Sequence, residues 1–181
     1  DAVARLHLHG VPTDPRMPLF TPDDLMAGLC PEDQTVTLYD DDHYYMGSVL
    51  AELLVQKGNR VHFVTPAVKV AEWTDNTLEQ GTIMRRLLEL GVEIHLSKAP
   101  EAIGAKEVTL GCTWTGRQTT LPTEAVVHVT SRIPNDQLFQ AARALDWQGA
   151  GIKSLKLIGD AAAPGPIAWA TYAGRNWAET L

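Results

Sequence analysis

The chain has few cysteines, no long apolar segment and no surplus of positive charge. Its two cysteines are Cys30 and Cys112, and no CxxC spacing occurs. Cysteine-based zinc and iron–sulfur sites need several thiolates, often in such pairs. We therefore predict that this chain by itself holds neither kind of site, and we interpret each cysteine as a buried free thiol.

The sequence contains no run of about 18 apolar residues that would span a membrane, and no basic-then-apolar leader. The formal net charge is -7. This charge argues against nucleic acid and anionic membranes as main partners, since both are bound mostly through Lys and Arg. The chain begins at Asp1 with sequence typical of the middle of a domain. We therefore expect a piece of a larger protein, located in the cytoplasm.

Strands and helices alternate through the first half. Thr21 is a good N-cap for a short helix that Gly28 ends. β-rich segments then alternate with segments whose apolar residues recur at helical spacing. In order they are the strand Thr35–Tyr39, the helix Gly47–Lys57, the strand Arg60–Thr65, the helix Leu78–Leu90 and the strand Val92–Leu96. This alternation predicts a right-handed parallel βαβαβ unit.

The period changes in the second half. Three short β-rich segments separated by turn residues predict an antiparallel meander: Glu107–Trp114, Arg117–Leu121 and Ala125–Thr130. A helix over Asn135–Leu145, a strand over Leu155–Ile158 and a helix over Ile167–Leu181 are expected to follow. The predicted fold class is therefore α/β, a Rossmann-like parallel sheet with helices and an antiparallel β-meander.

The turn after the first long strand resembles a dinucleotide-binding turn that has lost two glycines. Such turns follow the pattern G-x-G-x-x-G, in which the third glycine packs helix against strand and the first two admit the pyrophosphate. Counting back from the helix, Gly47 falls on the third glycine, Tyr44 on the second and Asp42 on the first. The next strand ends in Thr65 where an acid would hold the ribose. We therefore predict a degenerate nucleotide site.

Charge points in the same direction. Asp40, Asp41 and Asp42 stand where a diphosphate would bring negative charge. Two like charges about 4 Å apart repel by ~1 kcal/mol in water and by ~4 kcal/mol at an effective dielectric constant of about 20. We expect the acids instead to cap the helix that follows.

Four stretches carry a family resemblance: YDDDHYYMGSVLAELL, HFVTPA, WTDNTLEQGTIMRRLLELGVEI and LIGDAAAPGPIAWATYAGRNWAE. Together they resemble the C-terminal part of the trimethylamine, dimethylamine and histamine dehydrogenase group. This group belongs to the old yellow enzyme class with a 4Fe-4S cluster and is related to 2,4-dienoyl-CoA reductase. The resemblance runs from about Leu19 to Leu181. The missing glycines at Asp42 and Tyr44 favour the amine dehydrogenases over the NADPH-using reductase.

The resemblance implies a domain organisation. Residues 1–30 would be a connector with a short helix, 31–131 a degenerate NAD(P)H-binding-like domain, and 132–181 the C-terminal tail of an FAD- or ADP-binding-like domain. The parent protein would carry FMN and the 4Fe-4S cluster in an upstream barrel domain. Its electron acceptor would be an electron-transferring flavoprotein. The fragment itself is expected to bind no cofactor.

A second cofactor-binding motif lies near the C-terminus. The resemblance implies that Gly159, Asp160 and Ala161 form part of an ADP or FAD site whose glycine-rich half lies elsewhere. An equally open alternative is a Gly-Asp that only turns a strand into a helix. In the helix that follows, Trp169 and Trp177 lie eight residues apart and share a face. If uncovered, that face favours a homodimer.

Catalytic and metal-binding residues are not predicted. His7 and His9 alternate as in a strand and offer a weak metal pair, while His62, His95 and His128 are interpreted as sheet histidines. The predicted function is a non-catalytic domain of a flavin-dependent amine-dehydrogenase-like bacterial oxidoreductase, with a structural or partner-docking role. The alternatives are a working NAD(P)H-binding domain of a dienoyl-CoA-reductase-like enzyme and a free-standing interaction module.

Overall fold

The fold is described from a computed structural model that covers residues 2–4, 10–145, 149 and 151–181; for residues 2–4 only the backbone is described. The strands are β1 Ala2–Ala4, β2 Leu19–Phe20, β3 Thr35–Asp40, β4 Arg60–Val64, β5 Glu93–His95, β6 Lys98–Ile103, β7 Glu107–Cys112, β8 Gln118–Pro122, β9 Ala125–Val129 and β10 Arg132–Pro134. The helices are α1 Pro22–Met26, α2 Tyr45–Gln56, α3 Gln80–Glu89, α4 Gln137–Ala144 and α5 Ile167–Ala178. Within these described ranges, no helix is long and apolar enough to cross a membrane.

The chain divides into two compact units. One comprises Leu6–Ser131, and the other comprises Asp1–Arg5 with Arg132–Leu181. The larger unit holds a five-stranded parallel sheet in the order β2-β9-β3-β4-β5 and a three-stranded antiparallel sheet in the order β6-β7-β8. The predicted α/β class is confirmed by this architecture.

Local sequence signals explain how the helices begin and end. Thr21 accepts a hydrogen bond from the Asp24 amide, and the Asp24 side chain accepts one from the Thr21 amide, which is the reciprocal capping arrangement of a helix start. Gly28 follows the helix at φ 89°, a conformation that costs glycine little. The helix predicted from Leu78 begins two residues later, because Leu78 is held at φ 62° and cannot be helical.

Two apolar clusters hold the larger unit together. On one face of the parallel sheet, α1, α2 and α3 cover side chains such as Val36, Leu38 and Phe63, which are fully buried. On the other face, β6 and β7 contribute Ile103, Val108 and Leu110, which pack with sheet residues in a second cluster. The antiparallel sheet therefore covers the face that the helices leave open.

The predicted meander was partly wrong. Ala125–Thr130 was assigned to it, but β9 pairs in parallel with both β2 and β3 inside the main sheet. All five β9 residues are buried, as expected for a strand covered on both faces. The third strand of the antiparallel sheet is instead β6, which the sequence analysis missed. Its segment KAPEAI contains a proline and a register shift between Pro100 and Ala102, so it lacks regular alternation.

One further prediction for the C-terminal region was also wrong. Leu155–Ile158 forms no strand, and within residues 151–158 no strand pairing occurs. A strand needs a neighbour for its N–H and C=O groups, and local composition cannot supply one. The helix predicted over Asn135–Leu145 is present over Gln137–Ala144, with Asp136 at the N-cap and no side-chain capping bond.

Candidate functional site

The candidate site lies at the carboxyl end of β3, where the strand order reverses. From β3 the chain continues to β4 and β5 on one side, while β9 occupies the other side. Ligands of open α/β sheets bind in the crevice at such a point. The segment Asp40–Tyr44, which leads from β3 into α2, therefore stands where a nucleotide would bind.

Gly47 allows α2 to pack directly on β3. A Cβ atom added at Gly47 would lie 2.6 Å from Asp40 Cγ and 2.8 Å from Asp40 Oδ1, closer than real Cβ atoms approach other atoms. This close approach is the role that the third glycine of a dinucleotide turn performs. The space beside the glycine is filled by a carboxyl group.

Asp40 is fully buried beneath the first turn of α2. Its Oδ1 accepts a hydrogen bond of 3.3 Å from the Asp42 amide, while its Oδ2 has no hydrogen-bond partner within the described part of the chain. Burial, and next the charge of Asp42, raise the pKa of Asp40 to about 7. Near neutral pH this carboxyl group is therefore only partly ionised, and it carries less than the full negative charge expected from the sequence.

His43 links the turn to the neighbouring strand. Its Nε2 lies 3.2 Å from Asp41 Oδ1 and its Nδ1 3.5 Å from Thr65 Oγ1, just beyond β4. Its carbonyl accepts a hydrogen bond from the Trp73 amide, and its φ is 62°. The hydrogen bond to Asp41 is the main reason that the pKa of His43 is raised. In a dinucleotide-binding domain, an acid at the end of β4 would bind the ribose. Here Thr65 occupies that position and lies against His43.

Asp42 and Tyr44 occupy the positions of the first two glycines. Asp42 is exposed, and Tyr44 is half-buried with its ring centroid 4.3 Å from that of Tyr45. Tyr44 is the N-cap of α2 and makes no side-chain capping hydrogen bond. The expectation that an acid occupies the N-cap of α2 was therefore wrong. The helix begins at Tyr45, so the backbone places the preceding tyrosine at the N-cap.

Gly159, Asp160 and Ala161 lie together in a 3₁₀ turn before α5. Gly159 has φ 62°, and a Cβ there would lie 3.4 Å from the Cβ of Ala170 in α5. Asp160 Oδ1 accepts a long hydrogen bond of 3.4 Å from the Gly165 amide. Gly159 and Asp160, but not Ala161, line a groove with Pro166 and Trp169. No side chain caps the first turn of α5, and the Trp169 amide donates a hydrogen bond to the Pro166 carbonyl.

Other candidate residues are distributed differently. His7 and His9, the weak metal pair, lie outside the described residues. His62 and His95, assigned separately to the sheet, come together with Glu93 on one sheet face, and their candidate ligand atoms all lie within 4.8 Å of one another. The sequence signal that could have revealed this cluster is His62 on one strand and Glu93-x-His95 on the next. His128 is fully buried, and within the described residues neither ring nitrogen has a partner.

Comparisons with known proteins agree with this geometry. Residues 20–117 match the OYE-like second alpha/beta domain family. Solved flavoproteins with two dinucleotide-binding domains, each below 25% identity, share the fold. The chain therefore has the fold of a dinucleotide-binding-type domain of a flavoprotein. More specifically, it belongs to the OYE-like second alpha/beta domain family.

Three relatives are informative. Histamine dehydrogenase from Rhizobium sp. 4-9 is 52% identical with a TM-score of 0.90, covering 100% of this chain and 28% of that one. 6-Hydroxypseudooxynicotine amine oxidase from Pseudomonas geniculata N1 is 34% identical with a TM-score of 0.87, covering 97% and 27%. Dimethylamine dehydrogenase from Hyphomicrobium sp. (strain x) is 27% identical, covering 90% and 25%. The chain thus spans about a quarter of the length of each. The predicted resemblance to this group is confirmed.

Proposed function

We propose that this chain is the non-catalytic second α/β region of a flavin-dependent amine-dehydrogenase-like oxidoreductase. Its larger unit would serve as a degenerate NAD(P)H-binding-like domain that supports the parent enzyme and docks a partner. Its smaller unit would be the returning tail of an FAD- or ADP-binding-like domain. Both assignments rest on the resemblance together with the geometry of the two turns.

The observation that carries the proposal is the turn between β3 and α2. A dinucleotide needs backbone amides free to approach its pyrophosphate, and an acid at the end of the second strand. Here the close-approach position holds Tyr44, and the position after β4 holds Thr65, whose hydroxyl accepts a hydrogen bond from the Ala67 amide. His43 bridges the two turns. A nucleotide would have to displace contacts that the protein makes with itself.

The parent's redox chemistry would take place elsewhere. The three relatives described above, whose names refer to amine dehydrogenases or oxidases, are about four times as long as this chain. By resemblance, the parent would carry FMN and a 4Fe-4S cluster in an upstream barrel and pass electrons to an electron-transferring flavoprotein. The two cysteines of this chain, Cys30 and Cys112, do not suffice to ligate a 4Fe-4S cluster. The chain by itself would therefore be colourless and inactive.

The residues at the second turn fit one half of an ADP or FAD site. Gly159 leaves backbone space, the uncapped amides of α5 favour a phosphate, and the Asp160 carboxylate would accept a hydrogen bond from a ribose or ribityl hydroxyl. A bound ADP or FAD would lie between the two halves of the domain and hold them together. We propose no tight binding by this half alone, because the phosphate-facing glycines of the other half are not in this sequence.

Calorimetry with NADH and NADPH tests the proposal directly. We expect no binding at millimolar ligand, because a Kd of 1 mM corresponds to only about -4.1 kcal/mol. Two effects together are sufficient to remove a free energy of that size. Backbone amides no longer bind the pyrophosphate, and Asp41 and Asp42 repel it. Binding of NADH at micromolar concentration would overturn the proposal and favour a working NAD(P)H-binding domain.

A restored variant provides the matched control. Asp42→Gly, Tyr44→Gly and Thr65→Glu together rebuild the three missing determinants while leaving Gly47 in place. We expect measurable NADH binding in this variant, since the sheet and α2 still form the scaffold. Circular dichroism would verify that it folds. A folded variant that binds no NADH would show that more than these three positions has changed.

A further inference from the structure

A cluster of two histidines and a glutamate lies on neighbouring strands at one edge of the parallel sheet. β4 and β5 pair in parallel, with His62 opposite Glu93 and Val64 opposite His95. Paired residues of parallel strands point to the same side of a sheet, and side chains two positions apart share that side. The register therefore brings His62, Glu93 and His95 to one face, a placement that neither strand's sequence shows by itself.

The distances in this cluster match those between metal ligands. His62 Nδ1 lies 3.2 Å from His95 Nε2 and 3.3 Å from Glu93 Oε2. In a tetrahedral zinc site with bonds of about 2.0–2.1 Å, neighbouring ligand atoms are about 3.3 Å apart. All candidate ligand atoms lie within 4.8 Å of one another, so a small rotation of His95 or Glu93 would complete the set.

Hydrogen bonding alone leaves this arrangement incompletely explained. Nδ1 of a neutral histidine carries at most one hydrogen, so His62 Nδ1 cannot donate well-aligned bonds to both Glu93 and His95. The His62 side chain is only 5% exposed, whereas that of Glu93 is 43% exposed. A cation bound between the three groups would be coordinated by one atom of each, and the partly exposed Glu93 would give it access from solvent.

Arg60 holds the glutamate in the orientation that such a site requires. Its Nε and Nη2 donate to Glu93 Oε1 at 2.9 and 2.5 Å, which leaves Oε2 directed at His62. Carboxylates that bind metals are usually held in place by hydrogen bonds of this kind. Arg60 and the nearby Lys98 also add positive charge, which weakens cation binding relative to an uncharged surrounding. We therefore expect the affinity for a cation to be micromolar rather than nanomolar.

We propose that His62, Glu93 and His95 bind one Zn²⁺ ion, which fixes the short edge strand β5 to β4. Two imidazoles and a carboxylate are a ligand set that zinc accepts, and a water molecule would complete its coordination. Mg²⁺ and Ca²⁺ prefer sites built of oxygen atoms and should not bind. Within the described residues β5 has only β4 as a strand neighbour, so the ion would restrain an otherwise weakly held edge.

Zinc calorimetry on the metal-stripped 181-residue chain is the direct test. We expect one Zn²⁺ per chain at micromolar affinity, a zinc-dependent rise in Tm, and no response to Mg²⁺. His95→Gln and Glu93→Gln should each weaken zinc binding at least about tenfold, because each removes a direct ligand. His95 and Glu93 are only partly buried, so at least one of these variants should keep the metal-free fold by circular dichroism.

Two control variants separate this site from competing ligands. His7→Gln with His9→Gln removes the N-terminal pair, and Cys112→Ser removes a thiol whose pKa is lowered to about 7, chiefly by a hydrogen bond with the Thr115 side chain. Both controls should bind zinc like the parent chain. Co²⁺ should give visible d–d absorption without a thiolate charge-transfer band. The proposal is overturned if zinc does not bind, if both ligand variants bind it unchanged, or if either control abolishes it.

Discussion

Asp40 is a carboxyl group at the centre of the candidate site with no exposure to solvent. Its position beneath α2 distinguishes it from the two aspartates that follow it. Asp42, two residues later, is exposed. Burial is therefore what distinguishes these residues, and its energetic consequences can be measured one residue at a time.

Replacing Asp40 by Asn should change how stability depends on pH. The pKa of Asp40 is about 7 in the folded chain against 3.8 as the ordinary value, so the folded state binds the proton more tightly. Its contribution to stability is full below pH ~4, falls as pH rises, and is lost above pH ~7. The variant lacks this loss. Urea unfolding from pH 4 to 8 should show the variant gaining roughly 1–4 kcal/mol relative to the parent.

The comparison between the two proteins isolates Asp40, because other groups titrate in both. His43 has a raised pKa and also loses its contribution as pH rises, while His62 and His95 have lowered pKa values and act in the opposite direction. Parallel pH profiles for the parent and Asp40→Asn would contradict the assigned burial of the charge.

His128 should control the acid side of the stability profile. Burial lowers its pKa to about 4, so the folded state resists protonation. The stability it allows is present above pH ~6.5 and is lost as pH falls towards 4. His128→Leu removes that loss together with two ring nitrogens that have no partner among the described residues. We expect the variant to gain roughly 1–3 kcal/mol relative to the parent between pH 7 and pH 4.5. An unchanged difference across this range would show that His128 titrates normally.

The contact between α2 and β3 is the element that depends most on one glycine. Gly47→Ala would place a Cβ 2.6 Å from the buried Asp40 Cγ, so α2 or the carboxyl group must move. Overpacking of this kind costs about 1–3 kcal/mol. We therefore expect a lower free energy of unfolding at pH 7, measured by urea titration.

Gly81→Ala provides the matched control within another helix. Gly81 lies in α3 and a Cβ there meets no atom within 4 Å. Alanine in an exposed helix stabilises by about 0.5–1 kcal/mol relative to glycine. The two substitutions should therefore change stability in opposite directions. A destabilising Gly81→Ala, or a neutral Gly47→Ala, would mean that helix propensity rather than close approach governs these positions.

The two units of the molecule differ in how much apolar surface they bury. Both apolar clusters described above lie within the larger unit. In the smaller unit, α4 and α5 have no buried residue. Ile167, Trp169 and Tyr172 are 84%, 66% and 71% exposed. Trp177, predicted to share the face of Trp169, is half-buried with Lys156 Nζ 4.9 Å from its ring centroid.

A variant comprising residues 6–131 should fold without the smaller unit. Both apolar clusters lie within these residues. We therefore expect a cooperative thermal transition, measured by circular dichroism, with a Tm within a few degrees of that of the full chain. A noncooperative transition would show that the larger unit needs the rest of the chain.

Self-association should depend on the smaller unit. The exposed side chains Trp169 and Tyr172 form the kind of apolar surface that drives association. Sedimentation analysis should show concentration-dependent dimers of the full chain, and monomers for residues 6–131. In the full chain, Trp169→Ser with Tyr172→Ser should also reduce association. Dimers that persist in both variants would locate the interface elsewhere.

Local sequence determined a large part of this protein. The helix caps at Thr21, the alternation of strands and helices up to Val92, and the lost phosphate-side glycines at Asp42 and Tyr44 all follow from residues near one another in the chain. These features depend on backbone conformation and side-chain periodicity, which a short window of sequence reports. The family resemblance added the expected neighbours and cofactors of the parent protein.

Only the tertiary structure decided the remaining features. β9 lies inside the parallel sheet, Asp40 is buried while Asp42 is exposed, and His62 faces Glu93 and His95. Each of these depends on pairing between segments that are distant in the sequence. The register of two strands and the burial of a side chain are set by what the rest of the fold places against them, because a hydrogen-bonded neighbour or a packed helix changes the environment without changing the residue.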